Sequence, residues 1–325
     1  MNDTYGRKID YLRISVTDRC NLRCTYCMPP EGISLMNHED ILRYEEIAKL
    51  ARIAHEMGFT KFRITGGEPL VRKGLSSLIS DIAGLGDDID LSLTTNGVLL
   101  AKYARELKSA GLHRLNISLD TLDGDKFREI TRLDFFDDVI KGIECAIKVG
   151  FDPIKINVVV VKGVNDDEII DFVEMTKNKP LCIRFIELMP FGKMGWQKEK
   201  LVSSDEIKRQ IEEKYVISEA NKDNKSVPAR EYAIKGHIGQ IGFISPLSHS
   251  FCAYCNRLRL TADGRLLPCL MDDNNIDIKT PMRQGVSDDE LKDVIRSAMK
   301  QKPAGHHLCD DASAKTERIM SRIGG

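Results

Sequence analysis

Three cysteines near the start of the chain could together hold a metal centre. Cys20, Cys24 and Cys27 follow a run with strand character directly. Thiolates are soft ligands that select zinc, copper(I) or an iron–sulfur cluster. A [4Fe–4S] cluster normally takes four cysteines, yet the next cysteine in the chain is Cys145. Three thiolates would leave one iron of such a cluster open to a ligand; zinc, a disulfide or unligated thiols are the alternatives.

A second cysteine group lies near the other end of the chain. Cys252, Cys255 and Cys269 give the spacing C-x₂-C-x₁₃-C, and His249 lies three residues before the first of them. One histidine and three cysteines form a credible structural zinc site. A second iron–sulfur cluster with three thiolates is the rival interpretation.

Two arginines follow this second group at alternate positions of a probable strand. Arg257 and Arg259 would therefore lie on one face of that strand. Guanidinium groups suit phosphates and purine edges. The alternative is a solvated strand face. The other cysteines stand alone: Cys145 and Cys182 fall on apolar segments and are predicted to be small core residues, and Cys309 has no neighbour.

The composition is that of a globular enzyme. The chain has 325 residues, 42% of them hydrophobic and 30% charged, with a formal net charge of −1. That balance argues against a general nucleic-acid coat, which needs a basic surplus. No apolar run approaches the roughly 18 residues of a membrane span, and no signal-peptide pattern is present. Nine cysteines without an export signal predict a reducing cytoplasm, where metal or catalytic use outranks disulfides.

The elements that must position these residues alternate between strand and helix. Amphipathic stretches such as Tyr44–Met57 separate apolar runs. Six buried strands of this kind imply a parallel sheet, either doubly wound or an incomplete (β/α) barrel. Periodicity leaves both open. The apolar runs cover residues 11–17, 61–65, 90–95, 114–119, 154–161 and 181–188.

Polar and glycine residues cluster directly after these predicted strands. A parallel barrel has its active site at that end of its strands. We therefore expect the active site to be built from four segments: Thr17–Cys27, Thr65–Pro69, Thr94–Gly97 and Ser118–Thr121.

The character of the chain changes after about Met189, which predicts an α/β unit over residues 1–190 and an extension over residues 191–325. In the extension we expect a loop at Pro190–Gly195, a helix at Ser204–Lys214 capped by Ser203 or Ser204, and an exposed turn at Asn221–Ser226. Short antiparallel or irregular strands should follow at Glu231–Lys235 and Gln240–Ser245, and a final helix at Ser287–Lys300.

Several motifs together resemble a known family. The pattern C-x₃-C-x₂-C after a first strand, followed by Thr65-Gly-Gly-Glu-Pro69, is similar to the signature of radical S-adenosylmethionine (SAM) enzymes. Over nearly the full length, the chain resembles the GTP 3′,8-cyclase family of molybdenum-cofactor biosynthesis. The further motifs that carry this resemblance are Thr94-Thr-Asn-Gly97, Asn116-Ile-Ser-Leu-Asp120, Lys155-Ile-Asn157, Arg184-Phe-Ile-Glu-Leu-Met189, Phe251-Cys-Ala-Tyr-Cys-Asn-Arg-Leu-Arg259, Cys269-Leu270 and the terminal Gly324-Gly325.

The resemblance implies a fold and a set of site residues. The fold is an α/β, incomplete (β/α)₆ TIM-like barrel closed by the C-terminal extension. Two [4Fe–4S] clusters are implied: the first, on Cys20, Cys24 and Cys27, chelates SAM, and the second, on Cys252, Cys255 and Cys269, binds guanine, which replaces the zinc interpretation. Residues at the SAM site are Tyr26, Gly67, Ser118 and Met189. Residues that contact GTP are Arg13, Arg63, Thr94, Lys155, Arg257, Leu258 and Arg259, with Thr95 an alternative to Thr94; the tail Gly324-Gly325 reaches the active site.

The resemblance also implies a reaction and its partners. Reductive cleavage of SAM gives a 5′-deoxyadenosyl radical, which removes hydrogen from C3′ of GTP before that carbon attacks C8 of guanine. The implied product is (8S)-3′,8-cyclo-7,8-dihydroguanosine 5′-triphosphate, passed on to cyclic pyranopterin monophosphate synthase. A flavodoxin or ferredoxin would supply electrons, and a homodimer is expected; no nucleic acid or membrane is involved. The sequence departs from the family at Met271, where many relatives have an aromatic residue.

Two other functions compete with this interpretation. A radical SAM enzyme that modifies a peptide could use the C-terminal cysteines for an auxiliary cluster, but it has no reason to carry the Arg257–Arg259 pair and the Gly-Gly tail. A non-catalytic zinc module would bind zinc without iron or sulfide.

Overall fold

The computed structural model describes residues 1–190, 197–220, 228–306 and 320–323. The predicted Pro190–Gly195 loop, apart from Pro190, lies outside these ranges, as do the predicted Asn221–Ser226 turn, Cys309 and the Gly324-Gly325 tail. No helix in the described ranges has the length and apolar character that crossing a membrane requires.

Six parallel strands form the centre of the fold, as the sequence predicts. Each of these six strands pairs in parallel with the next along the chain, so the strand order does not reverse within them. Helices follow the strands and cover the outer face. The strands are β1 (Tyr11–Ser15), β2 (Lys61–Thr65), β3 (Asp90–Thr95), β4 (Arg114–Ser118), β5 (Ile154–Val160) and β6 (Leu181–Glu187).

The helices bury the apolar faces that their sequence periodicity predicts. In the first helix, Ile47, Leu50 and Ala51 are at most 2% exposed and pack in the main core. The helices are α1 (Tyr44–Glu56), α2 (Leu75–Ala83), α3 (Leu100–Ser109), α4 (Gly124–Thr131), α5 (Phe136–Val149), α6 (Ile169–Glu174), α7 (Ser204–Glu212), α8 (Lys279–Arg283), α9 (Asp288–Lys300) and α10 (Met320–Ile323). Ser203 and Ser287 directly precede helices α7 and α9, and their hydroxyls cap the first turn in reciprocal boxes with Glu206 and Glu290.

Strands of the extension continue both edges of the central sheet. They are β7 (Ile217–Glu219), β8 (Ala229–Ile234), β9 (Gln240–Ile244), β10 (Arg257–Leu260), β11 (Arg265–Leu267) and β12 (Ile276–Asp277). The predicted antiparallel pairing is found within β7–β9 and within β10–β12. Unexpectedly, β9 also pairs in parallel with β6, and β10 with β1.

The sheet is open, which distinguishes it from a closed (β/α)₈ barrel. Its twelve strands run in the order β12-β11-β10-β1-β2-β3-β4-β5-β6-β9-β8-β7, and no hydrogen bonds join the two end strands in the described ranges. This confirms the incomplete (β/α)₆ barrel and excludes the doubly wound alternative. The division at residue 190 stays a prediction.

The inner face of the sheet is polar, unlike the outer face. In β5, Ile154, Ile156 and Val158 are buried on the core side, whereas Lys155 and Asn157 face an internal cavity. Alternation along a strand sends successive side chains to opposite faces. The same backbone therefore carries both the core and the cavity wall.

Candidate active site

A cavity of about 500 Å³ lies against the inner face of the sheet. Both cysteine groups line it, so residues more than 200 positions apart in the chain share one chamber. Of the residues that the sequence predicts at the SAM and GTP sites, all the described ones except Leu258 line this cavity. They are Arg13, Tyr26, Arg63, Gly67, Thr94, Ser118, Lys155, Met189, Arg257 and Arg259.

The first cysteine group is held by bonds within its own loop and by Arg132 from a distant part of the chain. The amides of Cys27 and Met28 both donate to the carbonyl of Cys24 at 3.0 Å, which closes a tight turn. Arg23 donates to the carbonyl of Cys20 at 2.7 Å, and Arg132 donates to the carbonyls of Arg23 and Met28. These bonds satisfy carbonyls that a loop would otherwise leave unpaired.

The glycine pair after β2 packs against this loop. A Cβ added to Gly67 would lie 2.4 Å from the carbonyl oxygen of Arg19, closer than any real contact. The amides of Gly67 and Glu68 donate to the carbonyls of Thr17 and Arg19. Gly67 therefore lets the cysteine loop approach the sheet.

Buried carboxyl groups adjoin the first cysteine group. Glu68 is fully buried, and its oxygens accept from Thr95 Oγ1 and the amides of Leu70 and Asn96. Burial raises the pKa of Glu68 to about 7, despite these bonds. Tyr26 donates to Asp120 at 2.5 Å, and burial raises the pKa of Asp120 to about 6.

Two thiols of the first group, those of Cys20 and Cys24, are difficult to ionise in these surroundings. Burial, followed by repulsion from Cys27 and Asp120, raises the pKa of Cys24 well above its usual range. Burial also raises the pKa of Cys20, and the negative charge of Glu68 raises it further. Binding to iron removes this cost, because a coordinating thiol is deprotonated by the metal itself.

The second cysteine group is assembled from separate segments. Cys252 lies in a 3₁₀ turn, Cys255 stands just before β10, and Cys269 just after β11. Because β10 and β11 are antiparallel, these two strand ends come together. Burial opposes ionisation of Cys255, but Arg257 and Lys302 outweigh it and lower its pKa to about 6.

The geometry gives no support for zinc at this second group. His249 Nε2 pairs with Asp205 at 2.9 Å, and the histidine does not line the cavity. Within the described residues, no three histidine, cysteine or carboxylate side chains converge on a single ion. An iron–sulfur cluster is larger than one ion, so its ligands need not converge in that way.

The remaining described cysteines are not placed on the cavity. No disulfide joins any of the described cysteines. Cys182 is buried in β6, which fits the predicted core role, whereas Cys145 is only half-buried, with its thiol towards the carbonyl of Ala101.

Between the two cysteine groups the cavity wall is strongly cationic. Burial, with repulsion from Arg259 and Arg63, holds the pKa of Arg13 well below its usual range. Burial and Arg257 lower the pKa of Arg259 to about 10. Four further cations that sequence reasoning did not single out also line the cavity: Lys61, Arg114, Arg184 and Lys302. Such crowding of positive charge in a low-dielectric pocket attracts anions.

A carboxylate from the extension partly neutralises this wall. Glu231 on β8 bonds to Arg184 at 2.5 Å and to Lys155 at 3.2 Å. Burial opposes ionisation of Glu231, but Arg184 and Lys155 overcome it and lower the pKa to about 2.

Comparison with known proteins agrees with this geometry. Residues 14–176 match the Radical SAM superfamily, and residues 181–308 match Molybdenum Cofactor Synthesis C. A GTP 3′,8-cyclase from Thermodesulfovibrio yellowstonii is 50% identical over 100% of both chains, and one from Moorella thermoacetica is 49% identical over 100% of both. The chain belongs to the GTP 3′,8-cyclase family. As a radical SAM protein, it uses SAM and an iron–sulfur cluster.

A solved structure supports the fold of this GTP 3′,8-cyclase family member. Streptococcus suis SuiB matches with a TM-score of 0.62 over 94% of this chain and 68% of its own, at 17% sequence identity. At that identity the likeness concerns the fold alone. It agrees with the open barrel described above.

Several buried polar atoms in this family member lack a hydrogen-bond partner among the described residues. Tyr11 Oη, Thr94 Oγ1 and Asn157 Oδ1 are among them, and all three residues line the cavity. An unpaired buried polar group is costly, so these atoms suit a polar ligand. Thr95, by contrast, already donates to Glu68.

Two predicted contacts of the family need separate comment. The Leu258 side chain is fully buried in the core, on the face of β10 opposite Arg257 and Arg259, so only its backbone could meet a ligand. Gly324 and Gly325 lie outside the described residues. Ile323 just before them is 3% exposed, and its carbonyl accepts from Arg259 at 3.4 Å.

Proposed function

We propose that this chain converts GTP to (8S)-3′,8-cyclo-7,8-dihydroguanosine 5′-triphosphate, the first step of molybdenum-cofactor biosynthesis. The observation that carries the proposal is the shared cavity, in which the two groups of three cysteines lie on either side of a cationic wall. A radical source and an anionic nucleotide can thereby be held within one chamber.

The thiols fit two clusters. Cys20, Cys24 and Cys27 would hold the cluster that binds SAM, and Cys252, Cys255 and Cys269 would hold the second. When bound, the first cluster and SAM would supply a 5′-deoxyadenosyl radical that takes hydrogen from ribose C3′. That carbon would add to guanine C8, and one electron from the electron donor with a proton would complete the dihydro product. Tyr26, Gly67, Ser118 and Met189 line the cavity where SAM would lie.

The chain's own contribution to the reaction is to bind and orient GTP. Arginines and Lys155 on the inner face would grip the triphosphate, because guanidinium forks pair with phosphate oxygens. Thr94 Oγ1 is the better candidate for a GTP contact than Thr95, since it has no partner in the described residues.

Glu231 has a place in this binding step. In the structure it is the counter-charge of Arg184 and Lys155. An incoming triphosphate carries more negative charge and would compete for the same cations. Enclosure of the cavity would then limit access of water to the reacting carbon.

The partners of the reaction are part of the proposal. An electron donor such as flavodoxin or ferredoxin would reduce the clusters in the cytoplasm, and the product would pass to cyclic pyranopterin monophosphate synthase. We also propose a homodimer and no role for nucleic acid or membrane, in keeping with the net charge of −1.

An anaerobic assay tests the proposal. Protein with reconstituted clusters and counted iron receives SAM and a strong reductant, and 5′-deoxyadenosine is followed with and without GTP. We expect release to rise with GTP and a cyclised nucleotide to accumulate. SAM cleavage that ignores GTP while both clusters are present would overturn the cyclase assignment and favour a peptide substrate.

A further inference from the structure

Lys302 is a lysine in an unusual position. It follows helix α9 and is only 3% exposed. Lysine is almost never fully buried without a partner, because an isolated ammonium is costly to remove from water. Its ammonium donates to the carbonyls of Arg257 and Pro268, both at 2.8 Å.

Those two carbonyls belong to the two halves of the second cysteine group. Arg257 lies two residues after Cys255, and Pro268 directly precedes Cys269. One ammonium therefore joins the backbone on either side of the gap between these thiols. Burial lowers the pKa of Lys302, and electrostatic attraction to the side chains of Cys255 and Cys269 opposes that shift.

The charge of Lys302 has no carboxylate partner within the described residues. Its attractive contacts are carbonyls and the two cysteine side chains. Among the described residues, the anions that can balance this buried ammonium are the thiolates themselves, together with whatever they hold. Lys126, by contrast, forms a salt bridge with Asp167 and therefore has a carboxylate partner for its charge.

We propose that Lys302 is a positioning residue for the second cluster, holding the Cys255 and Cys269 segments together and raising the reduction potential of that cluster. The inference rests on the proposed function, since it requires a cluster on these thiols. Net charge and hydrogen bonds around the sulfurs set the potential of an iron–sulfur cluster. Reduction adds negative charge, which a neighbouring cation stabilises.

A comparison of Lys302 with Arg7 separates the effect of fixing the backbone from the effect of an added positive charge. It donates to the carbonyls of Cys252, Pro303 and Ala304, so it also fixes the backbone around this group. Its own charge, however, is paired with buried Asp3 at 2.6 Å. Loss of Arg7 should loosen the segment without removing an unbalanced cation.

The test measures the second cluster directly. Full-length chains with Cys20, Cys24 and Cys27 changed to Ala carry only the second cluster, and into this parent we place K302Q, K302R, R7Q and the control K300Q. Lys300 is exposed two residues away. The readouts are iron and sulfide per chain, iron loss to a chelator, and an anaerobic redox titration followed by electron paramagnetic resonance.

We expect K302Q to lose iron about tenfold faster than the parent, the lower range for removing an outer partner of metal ligands. The reduction potential of the second cluster should become more negative in K302Q. K302R should restore part of that loss in potential. R7Q should speed iron loss and leave the potential unchanged. A K302Q potential and iron loss equal to those of K300Q would overturn the inference alone. If K302Q does not fold, an R7Q potential that lies further below the parent than that of K302R overturns the inference. A parent without any cluster would overturn the proposed function as well.

Discussion

The two cysteine groups present the same number of thiols to the same cavity in opposite electrostatic surroundings. The first lies beside Asp120 and Glu68, and the pKa of Cys24 is raised well above its usual range, chiefly by burial. The second lies beside Arg257 and Lys302; although burial opposes ionisation there, these cations lower the pKa of Cys255 to about 6. Burial still raises the pKa of Cys269, so the contrast depends on where the cations stand.

This difference suits two different tasks. Carboxyl groups near a cluster disfavour the added electron, which makes the reduced cluster a stronger reductant. Cations near a cluster stabilise thiolates and attract an anionic nucleotide. The contrast therefore predicts a division of labour, with SAM cleavage at the first group and GTP binding at the second.

The largest effects should come from removing one thiol on each side. In C24A we expect 5′-deoxyadenosine formation to fall to background, with or without GTP. In C255A SAM cleavage should persist while cyclisation is lost. Each variant should lose about four irons, one cluster's worth, and C145A, whose thiol lies outside the cavity, should lose neither activity nor iron. Cyclisation by C255A would contradict the predicted division of labour between the two cysteine groups.

The end of the chain should affect cyclisation, the task assigned to the second cysteine group, and leave SAM cleavage at the first group unchanged. Ile323 is buried beside Leu267, and Arg259 donates to its carbonyl. Gly324→Ala, or one residue added after Gly325, should abolish cyclisation with iron content and SAM cleavage retained, because added bulk would compete for space there. The same addition before Met1, which is 42% exposed, serves as the control. Full cyclisation by the tail variants would exclude this role.

The contrast between the two groups also explains what the sequence could predict. Most of the first group is local: Cys20 to Cys27, Arg23 and the following glycines lie in or near short motifs, and the six strands have clear apolar runs. Arg132, which fixes the same loop from a distant position, is the exception. The second group depends on Lys302, Arg7 and the parallel pairing of β10 with β1, which join segments far apart in the chain. No local pattern marks Lys302 or Glu231, because each looks like an ordinary surface charge until the fold buries it.

Low pH should lower the stability of the protein at the cationic wall of the cavity, because it protonates Glu231. Its folded pKa of about 2 lies below the usual 4.5, so its stabilising contribution is present above about pH 4.5 and is lost as the pH falls towards 2. Between pH 6 and pH 3, the unfolding free energy of cluster-free wild type should fall by about 2 kcal/mol more than that of E231Q. Denaturant unfolding measures this. E219Q, at an exposed glutamate of β7, should follow wild type; equal slopes for wild type and E231Q would contradict the ion pair.

The same small substitution should affect the two groups unequally. In G67A the new Cβ would meet the carbonyl oxygen of Arg19 at 2.4 Å, whereas in G305A it would lie 3.8 Å from the Cβ of Cys252, an ordinary contact. Overpacking against backbone costs about 1–3 kcal/mol, so G67A should lower stability by that amount and reduce iron at the first group. G305A should be close to neutral. Iron counts and denaturant unfolding of both variants test this, and equal losses would mean that the second loop is packed as tightly as the first.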